Sequence, residues 1–93
     1  MGRPLPELKL RATLVLSRAS QELREKCLAI ARDKSPSSAY DLGMQIAMLS
    51  GLGQLQAIGI AKATRWLAVV RRDYGTTKFD ELVRALTTIT PKT

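Results

Sequence analysis

Residues 8–17 alternate between apolar and polar side chains, which is the pattern of a half-buried β-strand. Leu8, Leu10, Ala12, Leu14 and Leu16 fall on one side, while Lys9, Arg11 and Thr13 fall on the other. The alternation therefore predicts a strand from residue 8 to about residue 16. A lone strand leaves its backbone donors and acceptors unpaired, so we expect it to pair with the same strand of a second copy.

The next 34 residues carry the signals of two helices. Ser17 is the expected N-cap of the first, with Ser20 as the alternative, and this helix should run to about Arg32. Ser35 followed by Pro36 is a start signal for the second helix, which should run to about Ser50. The expected apolar stripes are Leu23, Cys27, Ile30 and Ala31 in the first helix, and Ala39, Leu42, Ile46 and Leu49 in the second.

Two further helices are predicted beyond the glycines at 51 and 53. The first covers Gln54 to Tyr74, with Leu55 and Ile58 opening a broad apolar face, although Gly59 weakens it and allows a break there. Gly75 is a natural stop, and a last helix runs from about Thr77 to Leu86. The chain thus divides into a basic arm over 1–7, expected to be flexible, a strand-and-two-helix domain over 8–50, and a helical extension over 51–93.

Composition narrows the class of partner. The 93 residues carry a net charge of +7, with more than half of the excess in residues 1–34, and this favours nucleic acid over a membrane surface. The absence of histidine and the single cysteine, Cys27, exclude a Cys/His zinc site and a histidine-dependent triad. Cys27 lies in an aliphatic stripe and is expected to be buried. We expect no enzymatic activity, no metal and no cofactor.

The order of strand, serine-capped helix, tight turn and serine-capped helix resembles the ribbon-helix-helix DNA-binding family. The likeness covers roughly residues 9–50 and is carried by residues 11–17, by the first helix's apolar stripe and by Ser35-Pro-Ser-Ser38. It implies a mainly α fold in which two copies intertwine through an antiparallel ribbon that enters the major groove of double-stranded DNA.

The resemblance also implies specific contacts. Base contacts would come from Lys9, Arg11 and Thr13, which occupy the outward positions of the ribbon. The second helix would hold a phosphate at Ser35, Ser37 and Ser38, although Pro36 removes one amide donor. Arg3, on the arm, is expected to contact phosphate as well.

Two other interpretations stay open at this point. Gly59 followed by a basic, threonine-containing stretch is similar to the turn of a helix-turn-helix within residues 54–72, which would present Lys62, Thr64 and Arg65 to bases. Alternatively, the chain is a helical protein-interaction module or antitoxin that binds no DNA.

The preferred prediction is a sequence-specific DNA-binding homodimer of the bacterial cytoplasm. It would serve as a transcriptional repressor or a plasmid maintenance or transfer factor, since proteins of this family have those roles. Higher-order assembly on DNA and a protein partner for the extension stay open. No membrane association is expected, because the sequence has no apolar run long enough for a membrane span and begins without the apolar core of a signal peptide.

Overall fold

The computed structural model describes residues 14–88, and these residues form helices joined by short connections. A short helix, α1, occupies residues 14–18 at the start of this range. It is followed by α2 (Gln21–Asp33), α3 (Pro36–Leu49), α4 (Gln54–Tyr74) and α5 (Thr76–Thr88). No residue between 14 and 88 lies in a strand.

The predicted ribbon-helix-helix fold is therefore wrong. Residues 14–16, which were expected to end the strand, are helical, while residues 8–13 lie outside the described range. The apolar run from Leu14 to Leu16 is too short for its spacing to separate a strand from a buried helical turn. Tertiary packing decides the matter, because Leu16 is fully buried in the helical core and Val15 packs beside Gly59 of α4.

The ends of the helices follow local signals. The preferred N-cap prediction, Ser17, is wrong, because its hydroxyl donates to the Leu14 carbonyl at 2.8 Å within α1. Ser20, the alternative cap, begins α2 by accepting a hydrogen bond from the Leu23 amide at 3.2 Å. Ser35 caps α3, with Pro36 in the first turn as predicted. The amide of Leu52 reaches back to the Ala47 carbonyl (3.2 Å), and Gly51 between them has a φ of 89°. This positive φ belongs to the left-handed region of backbone conformation, which glycine adopts without strain. The turn at Gly51 ends α3 close to the predicted end at Ser50.

Helices α3 and α4 form a close antiparallel hairpin. They are joined by only four residues, 50–53. Gly43 lies against Ala61 and Thr64 of α4, and since Gly43 and Ala61 are seven and eight residues from the connection along the chain, the two helices run in opposite directions. A β-carbon added at Gly43 would lie 3.3 Å from the Ala61 α-carbon, so the absence of a side chain allows the approach. The buried stripe of α3 consists of small residues, namely Ala39, Gly43 and Ala47. Of the predicted stripe, Ala39 is buried, Leu42 and Ile46 are half-buried, and the prediction is wrong for Leu49, which is 82% exposed.

The remaining helices pack around α4, which contacts α2, α3 and α5. Arg71 of α4 donates hydrogen bonds to the carbonyls of Ala31 and Lys34 at the end of α2, both at 2.8 Å. Helix α5 buries Phe79, whose ring lies 5.4 Å from the Arg32 guanidinium. The hydrophobic core therefore combines residues from both halves of the chain, including Leu23, Cys27, Ala39, Ala57, Leu67, Phe79 and Leu86.

Candidate nucleic-acid interface

One face of α4 is left uncovered by the other described helices. It carries Ile58, Lys62, Arg65, Val69 and Arg72, whose spacing of four, three, four and three residues places them along one side of a helix. Lys62, Arg65 and Arg72 are exposed, while Ile58 and Val69 are half-buried. The three cations span about 15 Å along the axis, taking a rise of 1.5 Å per residue. This surface is called the α4 basic face below.

Lys62 and Arg65 are exposed cations without an acidic neighbour among the described residues. No carboxylate of residues 14–88 lies within ion-pair distance of either. Five of the seven acidic residues between 14 and 88 lie beside other cations, in the pairs Lys26–Glu22, Arg32–Asp80, Lys34–Asp33, Arg72–Asp73 and Lys78–Glu81. Within α4 itself, no acidic residue occurs before Asp73.

Asp73 makes the end of the α4 basic face electrostatically weaker than its middle. Arg72 donates to Asp73 at 2.9 Å, and this hydrogen bond, together with the attraction of the opposite charge, raises the pKa of Arg72. A polyanion that contacts Arg72 must therefore compete with a neighbouring carboxylate. The positive potential available to a ligand is centred on Lys62 and Arg65.

Two other arginines, Arg24 and Arg71, use their guanidinium groups to bind backbone carbonyls and so have fewer donors for a ligand. Arg24 is 8% exposed, and its guanidinium donates to the Ser17 carbonyl at 3.1 Å, which ties α1 to α2. Arg71 binds the two carbonyls at the end of α2. Arg18 of α1 is exposed, and it lies one helical turn from Val15, the residue beside Gly59. It is a further cation near the α4 basic face.

The structure bears on only part of the predicted site. Arg3, Lys9, Arg11 and Thr13 lie outside the described residues, so their contacts stay predictions. The three serines do gather at the exposed start of α3.

The start of α3 has few backbone donors left for a phosphate. The Ser35 hydroxyl accepts from the Ser38 amide at 3.4 Å, and Pro36 has no amide proton. The amide of Ser37 is therefore the donor of this turn that could reach a phosphate, which is fewer than the resemblance implies. Contacts of Ser35, Ser37 and Ser38 with phosphate stay a prediction.

The helix-turn-helix alternative fails at its turn. Helix α4 continues through Gly59 without a break, so no recognition helix begins near Ala61. Thr64 is completely buried and donates to the Ile60 carbonyl at 2.8 Å, which excludes it from contact with bases in this conformation. Lys62 and Arg65, however, are both exposed, and they share the α4 basic face.

The described residues show no arrangement for a metal ion, a reactive thiol or a membrane span. Between residues 14 and 88, no group of three or more histidine, cysteine or acidic side chains is arranged to hold a metal ion. Burial raises the pKa of the Cys27 thiol, while a hydrogen bond with Thr64 lowers it to a smaller extent. The buried thiol is therefore mostly protonated at neutral pH, which is the expected state of a packing residue. No helix in this range is long and apolar enough to span a bilayer.

Comparison of the chain with protein-family models, with curated proteins and with solved structures finds no match. The α4 basic face therefore rests on geometry and charge. Its spacing was present in the sequence, since residues 58, 62, 65, 69 and 72 are spaced as one helical face. The prediction instead assigned Ile58 to the core, and so it missed the face as a unit.

Proposed function

We propose that this protein binds double-stranded DNA and that the α4 basic face is a principal contact. The observation that carries the proposal is the pair of exposed cations, Lys62 and Arg65, that have no acidic neighbour among the described residues. Unpaired cations on one rigid helix release counterions when they meet phosphates, and this release is the main source of affinity in nonspecific DNA binding.

Two further features favour duplex DNA over other polyanions. An α-helix fits the major groove, and α4, with 21 residues, is about 31 Å long. The half-buried Val69 lies between Arg65 and Arg72, and the half-buried Ile58 lies one turn before Lys62; both offer apolar surface to thymine methyl groups or to sugars. The α4 basic face contains no aromatic residue: Trp66 is buried, and the exposed Tyr74 is not part of this face, so the face offers no stacking surface for single-stranded bases.

The narrower roles of repressor or plasmid factor depended on the ribbon, which the described helices do not contain. The proposal is therefore limited to DNA binding, with sequence preference as a separate matter for experiment. A selection of bound sequences from a random duplex pool, with Arg65→Ala beside the wild type, measures that preference. An enriched motif that disappears in the variant would assign base recognition to this face.

The direct test of DNA binding measures fluorescence anisotropy of a 20-base-pair duplex against salt concentration. The double variant Lys62→Gln, Arg65→Gln should bind more weakly, and its log–log salt slope should fall by about 1.8, since each phosphate contact contributes about 0.9. The matched control, Lys26→Gln with Lys78→Gln, removes the same charge from α2 and α5. Both lysines are exposed, and each is paired with a carboxylate of its own helix. Its slope should remain close to that of the wild type.

Two results would contradict the proposal. Equal losses in both double variants would mean that net charge alone governs the binding and that the α4 basic face is not a contact. No binding of the wild type at about 150 mM salt would reject DNA as a partner altogether. In each case the thermal unfolding of the variants, followed by circular dichroism, shows that the fold is retained.

A further inference from the structure

The free end of the α3/α4 hairpin exposes large apolar side chains. Leu49 is 82% exposed, Leu55 is 85% exposed and Met48 is 48% exposed, and all three lie within two residues of the connection. Together with Gln45, Gln54 and Gln56, which are also exposed, these residues are called the hairpin tip. Large apolar side chains grouped on a small domain indicate a contact with a partner.

The hairpin tip lies within the longest charge-free part of the chain. Residues 42–61 contain no lysine, arginine, aspartate or glutamate, whereas no other uncharged run exceeds seven residues. The chain as a whole carries a net charge of +7, so two copies repel one another across most of their surfaces. The hairpin tip is the place where a second copy can approach without bringing like charges together.

The polar groups of the hairpin tip favour a protein over a lipid bilayer. The three glutamine amides each carry donors and an acceptor, and hydrocarbon would leave those groups without partners. Facing the same amides of a second copy, each can donate and accept reciprocally across a twofold axis. A groove of about 400 Å³ lies beside Leu49, with Leu23 and Ile46 on its apolar side. The rest of its lining is polar, namely Ser20, Glu22, Lys26 and Ser50, and the charges of Glu22 and Lys26 offset one another in an ion pair.

We propose that the hairpin tip is the contact through which two copies of this chain form a dimer. Leu49 and Leu55 provide the apolar centre, and the glutamines surround it. Closed twofold dimers are the most common assembly of soluble homo-oligomers, and their interface must be complementary to itself. A neutral patch of leucine and glutamine on a strongly basic chain meets that requirement.

The test is analytical ultracentrifugation of the full chain over a range of concentrations. The wild type should sediment as a dimer in the micromolar range, and the double variant Leu49→Gln, Leu55→Gln should weaken dimerisation about 10⁴-fold. This corresponds to roughly tenfold for each of the four leucines of the interface, two from each copy. The matched control is Tyr74→Gln, which alters an exposed apolar side chain at the opposite end of α4 and should leave the dimer intact.

A cysteine variant gives a second measurement that does not depend on affinity. Cys27 is the sole cysteine and is buried, so an added surface cysteine is the reactive one. Under mild oxidation, Gln54→Cys should form a disulfide-linked dimer faster than Thr77→Cys, which places an exposed cysteine at the start of α5. Similar rates for the two variants would overturn the proposed contact.

The remaining outcomes also decide the matter. A wild type that stays monomeric at 100 µM, or a double variant that dimerises as well as the wild type, would overturn the proposal. Binding of the monomer to phosphatidylcholine vesicles through Leu49 and Leu55 would do so as well, in favour of a membrane contact. The anisotropy measurements are independent, because Lys62 and Arg65 lie outside the hairpin tip and dimerisation can fail while DNA binding persists.

Discussion

Two glycines in helix interiors test the packing of the α3/α4 hairpin directly. Replacing a mid-helix glycine by alanine stabilises a helix by about 1 kcal/mol when space permits. At Gly59, the added β-carbon would lie 3.7 Å from a methyl carbon of Val15, which is an ordinary contact. Gly59→Ala should therefore raise the free energy of unfolding by about 1 kcal/mol.

The same substitution at Gly43 meets a crowded site. The added β-carbon would lie 3.0 Å from the Thr64 hydroxyl and 3.3 Å from the Ala61 α-carbon. Ala61 presents backbone, and Thr64 is held by its hydrogen bond to the Ile60 carbonyl, so neither can move away freely. Overpacking of this kind costs about 1–3 kcal/mol, which exceeds the gain in helix propensity. Gly43→Ala should lower the free energy of unfolding by about 1 kcal/mol.

The two substitutions should thus change the free energy of unfolding in opposite directions, so that the two variants differ by about 2 kcal/mol. Urea unfolding followed by circular dichroism, at one protein concentration for all samples, measures this difference. With a slope of about 1–2 kcal/mol/M for a protein of this size, the midpoints should lie about 1–2 M apart. If Gly43→Ala raised the midpoint as much as Gly59→Ala does, then α3 and α4 would not pack at this distance and the reasoning would be wrong.

Two further predictions concern Arg71 and Cys27. Arg71→Gln should lower the free energy of unfolding by about 2 kcal/mol, because the carbonyls of Ala31 and Lys34 lose a charged donor, and a change below 0.5 kcal/mol in the urea titration would contradict this. The exposed neighbour serves as the control, and Arg72→Gln should leave the midpoint unchanged. Because burial raises the pKa of the Cys27 thiol above its ordinary value of 9.0, the unfolded chain loses this proton at lower pH than the folded protein does. The resulting stability is present below pH 9 and declines as the pH rises through the folded-state pKa, so the wild type should lose more stability between pH 8 and pH 10 than Cys27→Ala does. Equal losses in the two proteins, measured by urea unfolding at both pH values, would reject the assignment.

Local chemistry determined where the helices begin and end. Ser35 with Pro36 and the glycines at 51 and 75 act through the hydrogen bonds and backbone angles of their own turn, so sequence alone identifies them. The predicted range of α4, Gln54 to Tyr74, is confirmed for the same reason. The cations Lys62 and Arg65 are also visible in the sequence, where the helix-turn-helix alternative places them on a recognition helix, although no helix begins near Ala61.

The predicted stripe of α2 is confirmed, since Leu23, Cys27 and Ala31 are buried, whereas only the tertiary structure decided which face of α3 is buried. The large residues of α3 were expected inside, yet the helix buries Ala39, Gly43 and Ala47, because close approach to α4 rewards small side chains over large ones. The segment from Leu14 to Leu16 could satisfy a strand or a helix by its own pattern, and its contact with α4 selected the helix. An apolar pattern predicts that a segment has a buried face, but which of its residues are covered depends on segments far away in the chain, as the exposed Leu49 shows.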